Sequence, residues 1–197
     1  MSDLKIQVDQ LCEEQRRYHF SVSADWWAAR EPSEPNLAGE WLAGLDFHLE
    51  ASRHSDDIVL SGRLSAEILL ECSRCGRRYS HALRDTFRLA LEPAKGREPD
   101  DLEGVQGLAK SGVWLGEDLE AGWFKGPFIR LDDYFGELVA LAMPLQPLCS
   151  EGCLGICSHC GVDLAKTRCD CVDERIDSPF AILAKLKGGK EEHELGE

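Results

Sequence analysis

From Ile58 the chain alternates apolar and polar residues. Ile58, Leu60, Gly62, Leu64, Ala66, Ile68 and Leu70 fall on one side of an extended segment that ends at Cys72. Beyond a short turn, "CSRCG", a second alternating run carries Tyr79, Leu83, Phe87, Leu89 and Leu91. Two such runs joined by a tight turn predict a long antiparallel hairpin with a cysteine knuckle at its tip. One apolar face per strand predicts a sheet buried on one side only.

The same period appears earlier. "LKIQV" (4–8), "YHFSV" (18–22) and "LDFHLEAS" (45–52) read as strands, the last with Leu45, Phe47 and Leu49 on its inner face. "DWW" (25–27) and "EPSEPNLAGEW" (31–41) read as a long connection with anchoring aromatics. Residues 93–126, rich in glycine and acid, read as a loop pinned where Trp114 and Trp123 bury. "PFIRL" reads as one more strand.

Two short helices follow. "DDYFGELVALAMP" places Phe135, Leu138, Val139 and Ala142 on one stripe, with Asp132 suited to the N-cap and Pro144 to the stop. "DSPFAILAKLKGG" has Ser178 suited to the N-cap, Pro179 to the first turn and Gly188–Gly189 to the end. The expected class is α+β: an antiparallel sheet with a knuckle-tipped hairpin, two short helices and a C-terminal cysteine-rich zinc module. The expected organisation is a sheet domain over 1–147 containing the acidic loop 93–126, a zinc module with the final helix over 148–187, and a flexible tail over 188–197.

Composition sharpens this. Nine cysteines occur in 197 residues, six of them between 149 and 171. The N-terminus, "MSDLKIQVDQ", lacks an apolar leader core, and no stretch approaches the length of a membrane span. The expectation is a soluble cytoplasmic protein without membrane association. Thiols stay reduced in that compartment, so disulfides explain the cysteines poorly.

Metal explains them better. Cys157 and Cys160 form C-x2-C, and Cys169 and Cys171 form C-x-C on a loop long enough to turn back. Cys72 and Cys75 would pair with Cys149 and Cys153, although either of the latter could exchange roles with Cys157. Each group supplies the four thiolates of a structural zinc site, giving two Zn²⁺ per chain. An iron–sulfur cluster competes with this reading and would colour the protein. Gly76 and Gly161 follow the second cysteine of each C-x2-C, where the turn needs a positive φ. Lys166 and Arg168 can offset the surplus thiolate charge. His159 reads as a solvated residue between ligands, and Cys12 as a buried small hydrophobe.

The formal net charge is −14. Filling both sites would take it to about −18. Such a chain repels a phosphate backbone on average and favours a basic protein partner. The local exception is Arg74, Arg77, Arg78, Arg84 and Arg88 around the knuckle, which are candidate RNA contacts. Glu67 and Glu71 on the partner strand offer the competing reading, cross-strand ion pairs.

The segments "LECSRCGRRY", "LDDYFGELVALAMPLQPLC", "CLGICSHCGVDL" and "DSPFAILAKLK" together closely resemble the YceD family of large ribosomal RNA subunit accumulation proteins. The resemblance spans roughly 58–187. Ser158 stands where that family usually has proline, and "DSP" (177–179) where it has "DPR"; neither change removes a candidate ligand. The resemblance implies a bacterial factor needed for accumulation of 23S rRNA, with a zinc-ribbon-like module and a ribosomal or rRNA-processing protein as partner.

Two other function classes compete with this reading. Catalysis is not expected: both sites are closed by four thiolates, the six histidines are scattered, and no phosphate loop or nucleophile signature is present. No small-molecule substrate is expected either. A zinc-linked thiol redox sensor is the alternative, because low-pKa thiolates can oxidise and release metal.

Overall fold

A computed structural model describes residues 4–29, 40–117 and 119–171, which divide between two compact units, 1–153 and 154–197. In chain order the strands are β1 (Lys5–Gln7), β2 (Arg16–Val22), β3 (Glu40–Trp41), β4 (Leu45–His54), β5 (Asp57–Glu71), β6 (Arg78–Pro93), β7 (Val113–Leu115), β8 (Ala121–Phe124) and β9 (Phe128–Arg130). The helices are α1 (Ala24–Ala28), α2 (Leu102–Ser111) and α3 (Asp132–Ala142).

The long hairpin is present. β5 pairs antiparallel with β6 from Ile58↔Leu91 to Glu71↔Arg78, over about 44 Å at strand rise. Its inner face carries Ile58, Leu60, Leu64, Ile68, Leu70, Leu83, Leu89 and Leu91, all buried. β4 pairs with β5 through a turn at Ser55–Asp56, and β2 forms an edge beside β4. Leu45, Phe47 and Leu49 line the inner face of β4 as the alternation predicts.

α3 closes that face. Phe135 stacks on Phe47 with ring centroids 4.0 Å apart and planes 3° from parallel. Phe20 and Phe87 pack around Phe135 at 6.0 and 5.9 Å. Gly62 makes the approach of Phe87 possible: a Cβ there would lie 2.7 Å from the Phe87 ring and 2.2 Å from the His48 carbonyl oxygen. The helix stripe is Tyr134, Phe135, Leu138 and Val139, with Ala142 only half-buried. The N-cap is Leu131, so Asp132 is the first helical residue and acts through the helix dipole rather than as the cap.

Residues 93–126 are a correction. They do not form a loop but contain α2, β7 and β8. Asp101 caps α2 by accepting from the Gly104 N–H, and Gly112 ends it at φ 73°. β8 then runs parallel to β6 from Ala90↔Ala121 to Pro93↔Phe124, so the main sheet is mixed rather than wholly antiparallel. Trp114 and Trp123 stack at 4.5 Å, half-buried, with the Arg97 guanidinium 4.5 Å from the Trp123 ring. The aromatics around 25–27 form α1, not a simple connection. The expected final helix over "DSPFAILAKLKGG" and the tail 188–197 lie outside the described residues.

Candidate metal centres

The knuckle between β5 and β6 is built by backbone hydrogen bonds. The Cys72 N–H donates to the Arg77 carbonyl and the Gly76 N–H to the Cys72 carbonyl, each at 2.9 Å. Gly76 adopts φ 66°, the left-handed conformation that closes the turn. The second C-x2-C-G repeats the pattern: Cys157 N–H to Val162 carbonyl and Gly161 N–H to Cys157 carbonyl, again at 2.9 Å, with Gly161 at φ 72°. Two separate stretches that share the C-x2-C-G pattern therefore fold into the same ligand-presenting turn.

The first knuckle meets the segment after α3. The Pro147 carbonyl accepts from the Ser73 N–H at 2.9 Å. Arg74 donates to the Cys153 carbonyl at 2.9 Å and to the Glu151 carbonyl at 3.4 Å. Cys149 and Cys153 are thereby carried to Cys72 and Cys75. The Sγ pairs Cys72–Cys153 and Cys75–Cys149 each stand at 3.8 Å.

In this group all four sulfurs lie within 4.8 Å of one another, and the same holds for Cys157, Cys160, Cys169 and Cys171. A tetrahedral ion with 2.3 Å bonds to sulfur holds its ligands about 3.8 Å apart. The two tetrads thus match a single four-coordinate ion each and use the groupings that spacing predicted. The first tetrad is the more enclosed, with Cys72 and Cys153 buried. In the second, Cys157 is buried while Cys160 and Cys171 are exposed.

Within each tetrad the thiols are shifted in opposite directions. Backbone N–H groups, that of Cys149 foremost, hold the Cys72 thiol down to about 6, so its thiolate forms readily. Burial, then the neighbouring thiols, push Cys149 up to about 12. The second tetrad repeats this. The backbone N–H groups of Cys160 and His159 hold Cys157 down to about 6, and contact with Cys160 raises Cys171 to about 12. In each tetrad one thiol is thus favoured as the thiolate and another is disfavoured, and a cation among the sulfurs would favour all four as thiolates.

Some neighbours differ from expectation. Lys166 pairs with Asp163 at 3.5 Å, so its charge is partly taken by a carboxylate. The His159 backbone N–H lies 3.4 Å from the Cys157 sulfur, and the imidazole is outside the tetrad. Cys12 is exposed rather than buried.

The family model described as large ribosomal RNA subunit accumulation protein YceD matches residues 60–187, a span that includes all eight tetrad cysteines. The chain belongs to the YceD family. A relative from Haemophilus influenzae, named large ribosomal RNA subunit accumulation protein YceD, is 26% identical over 93% of this chain and 96% of its own length. The chloroplastic YCED homolog 1 of Arabidopsis thaliana is 27% identical over 73% of this chain, which spans about half of that protein (48%). An uncharacterised protein of Mycobacterium tuberculosis is 27% identical over 78% of the chain and 67% of its own length. No solved structure matches.

In this YceD chain the five arginines of the hairpin separate into different settings. Arg74 is committed to the carbonyls of the first tetrad. Arg78 pairs with Glu40 at 2.9 Å. Arg77 supplies the carbonyl that accepts from Cys72. Arg84 and Arg88 project from the solvent side of β6, opposite Ser65 and Ser61. The anticipated pairing with Glu67 and Glu71 does not reach these two, because register sets Glu67 against Ala82 and Glu71 against Arg78. Glu67 instead accepts from the Ser80 hydroxyl. One cation of this surface, Arg63, was not singled out from the sequence. Its place on the polar side of β5 follows from the alternation, whereas its position opposite Thr86 follows from the register. Among the described residues no helix is long and apolar enough to cross a membrane.

Proposed function

We propose that this chain is a non-enzymatic factor required for 23S rRNA accumulation, and hence for large ribosomal subunit biogenesis, stabilised by two structural Zn²⁺ ions. The observation that carries this is family membership over a span containing both tetrads, together with relatives whose names state a role in large-subunit rRNA accumulation. Zinc is supported by sulfur spacing suited to one tetrahedral ion, since a multi-iron cluster would hold its thiolates further apart. A non-enzymatic role is supported by closure: four thiolates leave a tetrahedral ion no position for a reacting water.

The site of action in this reading is the cytoplasm. The partner is a basic ribosomal or rRNA-processing protein, with a local rRNA contact. The formal charge of −14 favours such a partner by long-range attraction. The test is the ratio of 23S to 16S rRNA in a strain lacking the gene, with and without the gene restored. A lowered ratio that recovers on complementation supports the function; an unchanged ratio overturns it.

A zinc-linked thiol switch is the second reading, favoured by the exposure of Cys160 and Cys171. Peroxide titration with detection of released zinc tests it. Release at low peroxide with reversal by thiol supports the switch, and retention of both ions overturns it.

A further inference from the structure

The polar side of the main sheet presents three cross-strand rows. Register aligns Arg17, Glu50, Ser61 and Arg88; then His19, His48, Arg63 and Thr86; then Ser21, Asp46, Ser65 and Arg84. None of these twelve side chains is apolar. Arg17 pairs with Glu50 and His19 with Asp46, each at 3.0 Å. Among the described residues, Arg63, Arg84 and Arg88 have no ion-pair partner. They form a triangle in which Arg63 faces Thr86, and Arg84 and Arg88 stand two positions to either side of it, about 7–8 Å diagonally.

We propose that this face binds RNA through its sugar–phosphate backbone, with Arg63, Arg84 and Arg88 as the phosphate contacts. The inference rests on the rRNA role proposed above and names the surface that serves it. Three guanidiniums on adjacent strands repel one another, and the carboxylates nearest Arg63 on this face, Glu50 and Asp46, are engaged by Arg17 and His19 rather than by the three arginines. A polyanion with regularly spaced charges neutralises them. Ser61, Ser65 and Thr86 add hydroxyls among the arginines, suited to phosphate and 2′-hydroxyl groups.

The fourth element is aromatic. His19 and His48 stack at 4.5 Å with planes 5° apart, in the same row as Arg63, and offer a platform for a base. Two grooves of about 510 and 520 Å³ border Arg63 and Thr86. One reaches Arg17 and His48, and the other Ser65 and Arg84. A protein partner is disfavoured here because a stable protein interface needs an apolar centre shielded from water, and none of the twelve side chains in these rows is apolar.

The experiment measures binding of the purified zinc-loaded protein to transcribed 23S rRNA across a salt series, with R63E/R84E/R88E and R63A/R84A/R88A. K95E/K110E/K125E serves as a control with the same change in net charge elsewhere. The triple arginine variants should bind at least ten-fold more weakly, with the salt slope reduced by about two, while the control loses less than three-fold. Melting curves like that of the parent exclude misfolding, and the alanine variant answers the question if the glutamate variant melts early. RNA affinity unchanged in the arginine variants overturns the inference, as does capture of a ribosomal protein through these arginines in the absence of RNA binding. Either outcome leaves the rRNA-accumulation phenotype intact, so failure of this surface is distinguishable from failure of the proposed function.

Discussion

The sulfurs of Cys72 and Cys153 stand 3.8 Å apart although 81 positions separate them in the chain. The first belongs to the hairpin tip, the second to the segment that leaves α3. An ion bound between them closes a long loop of the unfolded chain, and its binding free energy becomes folding free energy.

Cys72→Ser should therefore cost more than Cys157→Ser. The second tetrad lies within 157–171, so losing it should leave the sheet intact. We expect Cys72→Ser to lower the melting temperature by about 10 °C and Cys157→Ser by only about 3 °C. Equal melting temperatures would reject the assignment of the first tetrad as the long-range clip.

The purified protein should carry two zinc atoms per chain and be colourless. Elemental analysis and the visible spectrum decide this. Fewer than one equivalent of metal, or an iron–sulfur absorbance, would refute the zinc assignment.

Phe135→Ala removes the ring stacked on Phe47 at the centre of the core. A large-to-small change there should destabilise the protein by about 3–5 kcal/mol. Gly62→Ala should also destabilise, because its Cβ would collide with the His48 carbonyl and the Phe87 ring. Denaturant midpoints measure both, and a neutral Gly62→Ala would show that β4 and β5 can separate locally at no cost.

Alkaline pH should weaken the fold through Tyr134. Burial, reinforced by the Glu120 charge, raises its phenol well above the ordinary value of 10. The contribution is thus fully present below about pH 10 and is lost as pH rises towards the folded-state value. Tyr134→Phe should flatten the stability curve above pH 10, measured by urea midpoints at pH 8 to 11. A variant as alkali-sensitive as the parent would place the responsible group elsewhere.

The hairpin, the inner face of β4 and β5, and the two C-x2-C-G knuckles were legible from the residues alone. Each follows from local rules: a period of two chooses the face of a strand, and glycine at a positive φ closes a cysteine turn. The sequence also indicated two groups of four cysteines, because two tetrahedral ions suit eight ligands, while the exchange it left open between Cys149 or Cys153 and Cys157 is closed by where the sulfurs lie. What residues 93–126 become depends on contacts between segments. β8 is a strand because β6 is there to pair with it in parallel, a contact between distant segments with little alternation to announce it. Such contacts decide the arginines as well. Composition marks all of them as charged, but register and neighbouring carbonyls settle which charges are spent: Arg74 on Cys153, Arg78 on Glu40, and Arg63, Arg84 and Arg88 left facing water. A side chain's charge is local, whereas its partners depend on which strands lie beside it.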